Sequence, residues 1–126
     1  MAKEETARLR VAVLIRDLIF ETKIRATARS LNVDVWILRG PTELSGLSKE
    51  PKPQLLIVDL GIGEGEAIEA IRAAKSTGLH VVAFVSHVDV ELADRAEKAG
   101  ADVVLPRSRF AAQLPSNLLG GGESVE

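Results

Sequence analysis

Asp59 is the residue of this sequence that is best placed to do chemistry. It is the charged residue of the otherwise apolar run 55–60 (LLIVDL), and the glycine-rich segment 61–65 (GIGEG) follows at once. A short apolar run bounded by turn-forming residues is typical of a central strand in a parallel sheet, because helices cover both faces of such a strand. Open α/β sheets bind their ligands at the carboxyl ends of the strands. The sequence therefore places an acid where a ligand would be bound.

Charged and polar side chains also follow three other apolar runs. They come after residues 9–15, 79–85 and 101–105, and they are Arg16, Asp17, Ser86, His87 and Arg107. The carboxyl ends of parallel strands meet at one edge of a sheet. We therefore expect these residues to share a rim with Asp59, which would bring acids, bases and a hydroxyl group together.

The spacing of the apolar residues predicts the elements that position this rim. Five apolar runs predict strands, at 9–15, 33–38, 55–60, 79–85 and 101–105. Apolar residues three and four apart predict helices over 18–31, 66–75 and 90–99, and Asp17 and Asp89 can cap two of them. The glycines and prolines of 39–53 predict a loop with little helix, and a short helical segment fits 110–114 before Pro115.

Strands that alternate with helices predict βαβ units and a parallel sheet. We predict an α/β fold: a flavodoxin-like, doubly wound, five-stranded parallel sheet in the order 2-1-3-4-5. The second helix would be reduced and the last one truncated. The 126 residues fit a single domain, which we place at 1–114, followed by a flexible C-terminal tail at 115–126.

The composition excludes several classes of function. A net charge of −2 provides no basic field for nucleic acid or for an anionic membrane surface. The chain contains no cysteine, which excludes disulfides and thiolate metal sites. The polar segment 1–6 is neither a signal peptide nor a membrane span. We therefore expect a cytoplasmic protein without nucleic-acid or membrane partners.

These positions resemble the receiver domain of bacterial two-component response regulators, the CheY-like superfamily. The resemblance covers residues 9 to about 110 and implies that Asp59 is the phospho-acceptor. It also implies that Ser86 and Arg107 contact the phosphoryl group and act in the switch. The segment 100–105 (GADVVL) resembles the family's approach to its basic residue.

The sequence also departs from the receiver pattern. Arg16 and Asp17 stand where the family has two acids, and Arg107 and Ser108 stand where it has Lys-Pro. The loop after Asp59 is short and lacks proline, and the last helix is largely missing. The resemblance is therefore to a degenerate receiver, or pseudo-receiver.

The departures change the charge at the predicted site. Transfer of a phosphoryl group to a carboxylate brings negative groups together, and Mg²⁺ offsets that charge. Asp17, Asp59 and the Gly61 carbonyl could bind Mg²⁺ only weakly, because Arg16 would compete with the cation and could form a bidentate pair with Asp59. We predict that Arg16, with Arg107 as a second candidate, replaces the metal; the alternative is that Arg16 points to solvent and Asp59 merely ends a strand.

Two functions follow from the resemblance. The first is a non-enzymatic signalling module without a cofactor, which binds a protein partner or itself through the fourth helical segment (90–99), the fifth strand and the short last helix. A missing last helix would leave a sheet edge and strand face partly bare beside Phe110, Leu114, Leu118 and Leu119, and a homodimer or a partner would cover it. The second is a phosphorylation-competent receiver that uses Asp59. A small-molecule sensor rests on fold analogy alone.

Other motifs predict no chemistry. The glycines of 61–65 lack dinucleotide-binding spacing and lie beside Glu64 and Glu66, which would repel phosphate. His80 and His87 have no further metal ligands around them. Ser86 and His87 are sequence neighbours, whose side chains point to opposite faces of a strand.

Overall fold

A computed structural model describes residues 9–48, 52–86 and 89–120 of the chain. In this part the strands are β1 (Arg10–Leu14), β2 (Asp34–Leu38), β3 (Leu55–Asp59), β4 (His80–Val85) and β5 (Val103–Pro106). The helices are α1 (Leu18–Leu31), α2 (Glu64–Ser76), α3 (Val90–Ala99), α4 (Arg107–Ala112) and α5 (Leu114–Leu118). Two 3₁₀ segments, Pro41–Ser48 and Leu60–Ile62, follow β2 and β3. His87 and residues 121–126 of the predicted tail lie outside the described residues.

The strands form one sheet in the order β2-β1-β3-β4-β5, and each neighbouring pair is parallel. The predicted fold class and strand order are confirmed. Every residue of the central strand β3 is buried, because helices cover both faces of the sheet. On one face lie α2, α3 and the 3₁₀ segment that replaces the second helix. On the other face lie α1, α4 and α5.

Local signals in the sequence fix the helix ends nearest the rim. Asp17 accepts hydrogen bonds from the first turn of α1, and Asp89 accepts one from the first turn of α3. Both caps are as predicted. Gly100 ends α3 at a φ of 124°, a left-handed conformation that favours glycine. No helix in the described part of the chain is long and apolar enough to cross a membrane.

The end of the domain differs from the prediction. The chain after β5 forms two short helices, and α5 extends to Leu118, so the tail does not begin at residue 115. Phe110, Leu114 and Leu118 are buried against the sheet and α1. The buried Asn117 joins the two helices, because its Nδ2 donates to the Phe110 carbonyl at 3.0 Å. Of the four apolar residues named in the sequence argument for a homodimer, three are covered and Leu119 remains 51% exposed, so most of that argument is lost.

Candidate functional site

Asp59 lies at the carboxyl end of β3, with only 6% of its surface exposed. Its Oδ1 accepts a hydrogen bond from the Gly61 N–H at 2.8 Å, which caps the short 3₁₀ segment after the strand. Burial raises the pKa of this carboxyl, while the Gly61 hydrogen bond and the charge of Arg107 oppose the shift. The negative charge of Asp17 raises the pKa of Asp59 further, because the two carboxylates repel each other. The predicted acid is therefore in place, and its ionised form is poorly solvated.

Asp17, the second predicted acid, already has hydrogen-bond and ion-pair partners on both carboxylate oxygens. Its Oδ1 accepts the N–H groups of Ile19 and Phe20 at 3.0 and 3.1 Å, which caps α1. Its Oδ2 lies 2.5 Å from Nη2 of Arg107. The hydrogen bond from Arg107 is the main cause that lowers the pKa of Asp17. Asp17 is thus an ionised carboxylate with a fixed cationic partner.

Arg107 is the cation of the rim. It begins α4 directly after β5, and its guanidinium carbon lies 4.4 Å from the centroid of the Phe20 ring. A cation over an aromatic face gains about 0.5–1 kcal/mol at an exposed site. Phe20 on one side and Asp17 on the other therefore hold Arg107 in one position. Arg107 therefore lies at the rim as a cation paired with Asp17, and its predicted role as a substitute for the metal stays a prediction.

Arg16 does not take the position that we predicted for it. Its Nε donates to the Arg39 carbonyl at 2.8 Å and its Nη1 to the Ile62 carbonyl at 3.2 Å. Its Nη2 pairs with Oε1 of Glu66 at 2.7 Å. The predicted bidentate pair with Asp59 is wrong, and so is the alternative that Arg16 simply points to solvent. Arg16 instead ties together the segments that follow β1, β2 and β3.

Three residues near the rim have contacts that sequence reasoning missed. Glu66 is the carboxylate that binds Arg16, and Phe20 is the ring under Arg107. Arg39 donates to the Ile15 carbonyl at 3.3 Å and lies 2.7 Å from Oε1 of Glu21. One signal was present in the sequence, because Arg39 directly follows the run 33–38 and so stands at the rim in the same way as Arg16.

Ser86 follows β4 and is exposed at the rim. It lines one side of a groove of about 410 Å³, together with Arg107 and Ser108. Lys23 and Phe20 of α1 line the same groove. The structure therefore brings the predicted residues Ser86 and Arg107 together.

Comparison with known proteins gives a consistent result at the level of the fold. No protein-family model matches the sequence, and no curated protein matches it. Solved structures do match. A response regulator from Thermotoga maritima has a TM-score of 0.75 at 19% identity, over 90% of this chain and 96% of that one. A response regulator receiver domain protein from Clostridium thermocellum has a TM-score of 0.75 at 18% identity, over 90% of this chain and 93% of its own.

A third match is the phosphorylated cyanobacterial phytochrome response regulator RcpA, with a TM-score of 0.73 at 14% identity over 90% of this chain and 91% of that one. The chain has the fold of a response regulator receiver domain. In this receiver fold Asp59 occupies the end of the third strand, and Ser86 and Arg107 follow the fourth and fifth.

The receiver resemblance implies a Mg²⁺ ion beside the acceptor, and the residues of this chain do not fit one. Mg²⁺ needs oxygen ligands in near-octahedral geometry, usually with one or two carboxylates. The oxygens of Asp17 are bound to Arg107 and to backbone N–H groups, and Arg16 replaces a second acid. In the described part of the chain, no group of three or more His, Cys, Asp or Glu side chains could hold a metal ion, so Asp17 and Asp59 have no third acid beside them. The predicted ligands Asp17, Asp59 and Gly61 therefore lack the arrangement that the cation needs.

The buried carboxyl of Asp59 gives a testable effect on stability. We expect Asp59→Asn to raise the urea midpoint of unfolding near pH 7, because asparagine avoids burying a charge and still accepts from Gly61. Burial raises the pKa of Asp59 above 3.8, so the folded protein binds this proton more tightly than the unfolded chain. The wild type recovers stability relative to the variant as the pH falls through the raised pKa.

Paired urea titrations of the wild type and the variant, at about pH 7 and about pH 4, measure the effect. Acids that do not interact with Asp59 are present in both proteins, so their titrations cancel from the difference, whereas the coupling of Asp59 to Asp17 is part of the measured effect. A lower midpoint for Asp59→Asn near neutral pH would contradict the argument from burial.

Proposed function

We propose that this chain is an atypical receiver, or pseudo-receiver, that acts in signal transduction as a protein-interaction module. We further propose that it is not phosphorylated through the usual Mg²⁺-dependent route. The observation that carries the proposal is the pair between Arg107 and Asp17, which gives the acid at the rim an internal cation.

The charges explain why this pair opposes phosphorylation. A phosphoryl donor that approaches Asp59 adds negative charge to a site that already contains the buried carboxylate and Asp17. Two or more positive charges close to the transferred group would be needed to offset it. Arg107 supplies one positive charge and shares it with Asp17, while Glu66 pairs with the charge of Arg16. With Asp59 ionised, both arginines are already paired and the rim keeps one negative charge, so no positive charge is free to offset an incoming phosphoryl group.

The signalling role rests on the fold. The solved structures with the same fold include response regulators and receiver domains, and on that analogy we propose a signalling domain and not an enzyme. The cysteine-free sequence suits a reducing compartment, and we propose that the domain works in the cytoplasm. We place its partner surface on α3, β5 and α4, the side of the fold at the free edge of the sheet.

The alternative is a phosphorylation-competent receiver. The charge of Arg107 acts on Asp59 at the end of β3, Ser86 and Arg107 line one groove, and one structure with this fold, RcpA, is phosphorylated. In that case Arg107 would leave Asp17 and turn its guanidinium to the phosphoryl oxygens. The two functions differ in whether Asp59 reacts.

The test is incubation with acetyl phosphate and Mg²⁺, followed by intact-protein mass spectrometry. We expect no stoichiometric mass increase under conditions that phosphorylate a receiver domain with two acids and a lysine at the matching positions, which is the positive control. A stoichiometric increase in the wild type that is lost in Asp59→Asn would establish the alternative.

A further inference from the structure

A groove of about 310 Å³ runs between α3 and β5. Its wall on the helix includes Val90 and Ala93, and its wall on the strand includes Val104 and Pro106. Val90 is 73% exposed, although large apolar side chains are usually buried in this domain. The groove therefore offers apolar surface to solvent beside the edge strand of the sheet.

The charged side chains that line this groove are all acidic. They are Asp89, Asp94 and Glu97, which α3 and its N-cap place along the groove. The basic residues of α3 do not line it: Arg95 pairs with Glu64 of α2, and Lys98 pairs with Asp94 at 3.0 Å. Glu97 has no ion-pair partner within the part of the chain that the structure describes. Lys98 offsets the charge of Asp94, so Asp89 and Glu97 carry the negative charge of this apolar surface, which we call the acidic groove.

We propose that the acidic groove binds a helical segment of a partner protein whose apolar side chains are flanked by Lys or Arg. This inference rests on the proposed role as an interaction module and names the chemistry of the partner. Asp89, the N-cap of α3, and Glu97 both line the groove, and the rise per residue of a helix puts them about 12 Å apart. Cations about two turns apart on the incoming helix would match them, with a Leu or Ile between the cations against Val90 and Val104.

Charge complementarity favours such a partner over a second copy of this chain in the same groove. A symmetric contact would place the same surface on both sides, because isologous interfaces use one patch twice. Groove against groove would oppose acids with acids, and like charges across an interface cost affinity. A basic segment removes that conflict and still covers the exposed Val90.

The experiment uses a synthetic alanine-based helical peptide with central leucines and a lysine one turn to either side, titrated into the isotope-labelled full chain by NMR. We expect the amide shifts to cluster at Val85, Val90, Ala93 and Val104. Glu97→Lys should weaken binding about tenfold, because a charge reversal replaces attraction by repulsion. Glu91→Lys is the matched control, since it makes the same change on the same helix outside the lining of the groove, and it should leave the affinity nearly unchanged.

Three results would overturn the proposal. Equal weakening by the two charge reversals would show general attraction to an acidic protein, and shifts away from α3 and β5 would place the peptide elsewhere. Groove shifts that grow with protein concentration alone would show a second copy there. The peptide titration does not depend on phosphorylation. Phosphorylation of Asp59 would therefore contradict the proposed function without changing the outcome of the peptide titration.

Discussion

Replacement of Phe110 by alanine is expected to lower the free energy of unfolding by about 3–5 kcal/mol. Phe110 is fully buried in α4, and its ring stacks on Phe84 at a centroid distance of 4.5 Å. It also meets the edge of Phe20 at 5.9 Å. The truncation leaves a cavity in the layer between the sheet and α1, and it removes two aromatic contacts of about 0.5–1.5 kcal/mol each. Urea denaturation followed by circular dichroism measures the loss, which is a large share of a typical domain's 5–15 kcal/mol.

The matched control for Phe110→Ala is Leu119→Ala. Leu119 directly follows α5 and is 51% exposed, so its truncation should change stability by no more than about 0.5 kcal/mol. A loss below about 1 kcal/mol for Phe110→Ala would mean that α4 is not packed on the sheet. The apolar face beside β5 would then be bare, as the sequence alone suggested.

The sequence predicts the strands and the first three helices because those signals are local, and their order follows from the connection rules of parallel α/β folds. Apolar runs give the strands, and Asp17 and Asp89 give the helix starts. The short helix predicted at 110–114 overlaps α4, whereas α5 was missed because a proline usually breaks a helix. In the structure Pro115 lies in the first turn of α5, where the missing N–H costs nothing and the fixed φ suits the helix. The spacing of the buried residues in 110–118 was a helical signal, divided between two short helices.

In the candidate site, the position of each residue was predictable from the sequence, but its contact partners were not. Position after a strand was enough to predict that Asp59, Ser86 and Arg107 share a rim. The partner of each arginine was not predictable, because the acceptors of Arg16 are carbonyls from the loops after β2 and β3 and a carboxylate of α2. The sequence shows that Arg16 lies beside Asp17. Only the folded structure shows that the side chain of Arg107 is the one that pairs with Asp17.

In the proposed pseudo-receiver, Arg107 and not Arg16 is the cation that contacts an acid of the rim. Arg107 acts directly, because it forms an ion pair with Asp17, the carboxylate that would otherwise be available to a metal ion. Arg16 acts indirectly, because it supplies a guanidinium where a receiver has a carboxylate, and it ties the loops in place. Removing either arginine alone leaves the other obstacle.

The double variant Arg16→Asp with Arg107→Met is therefore expected to bind Mg²⁺ at least about tenfold more tightly than the wild type, which corresponds to about 1.4 kcal/mol. Methionine keeps an unbranched apolar side chain beside Phe20 while it releases Asp17 from its ion pair. Aspartate at position 16 adds a second carboxylate beside Asp17, and one or two carboxylates are what Mg²⁺ sites use. Isothermal titration calorimetry measures the affinity, and circular dichroism checks that the variant is folded.

Both single variants should gain less than the double variant, because each leaves one obstacle in place, so the gains should not add. Arg16→Asn with Arg107→Met is the matched control: it loses the same contacts of Arg16 to Arg39, Ile62 and Glu66 but adds no charge. If this control gains as much as the double variant, released loops and not charge explain the effect. If the double variant binds Mg²⁺ no better than the wild type, the two guanidinium groups are not what keeps the cation out, and the charge argument fails.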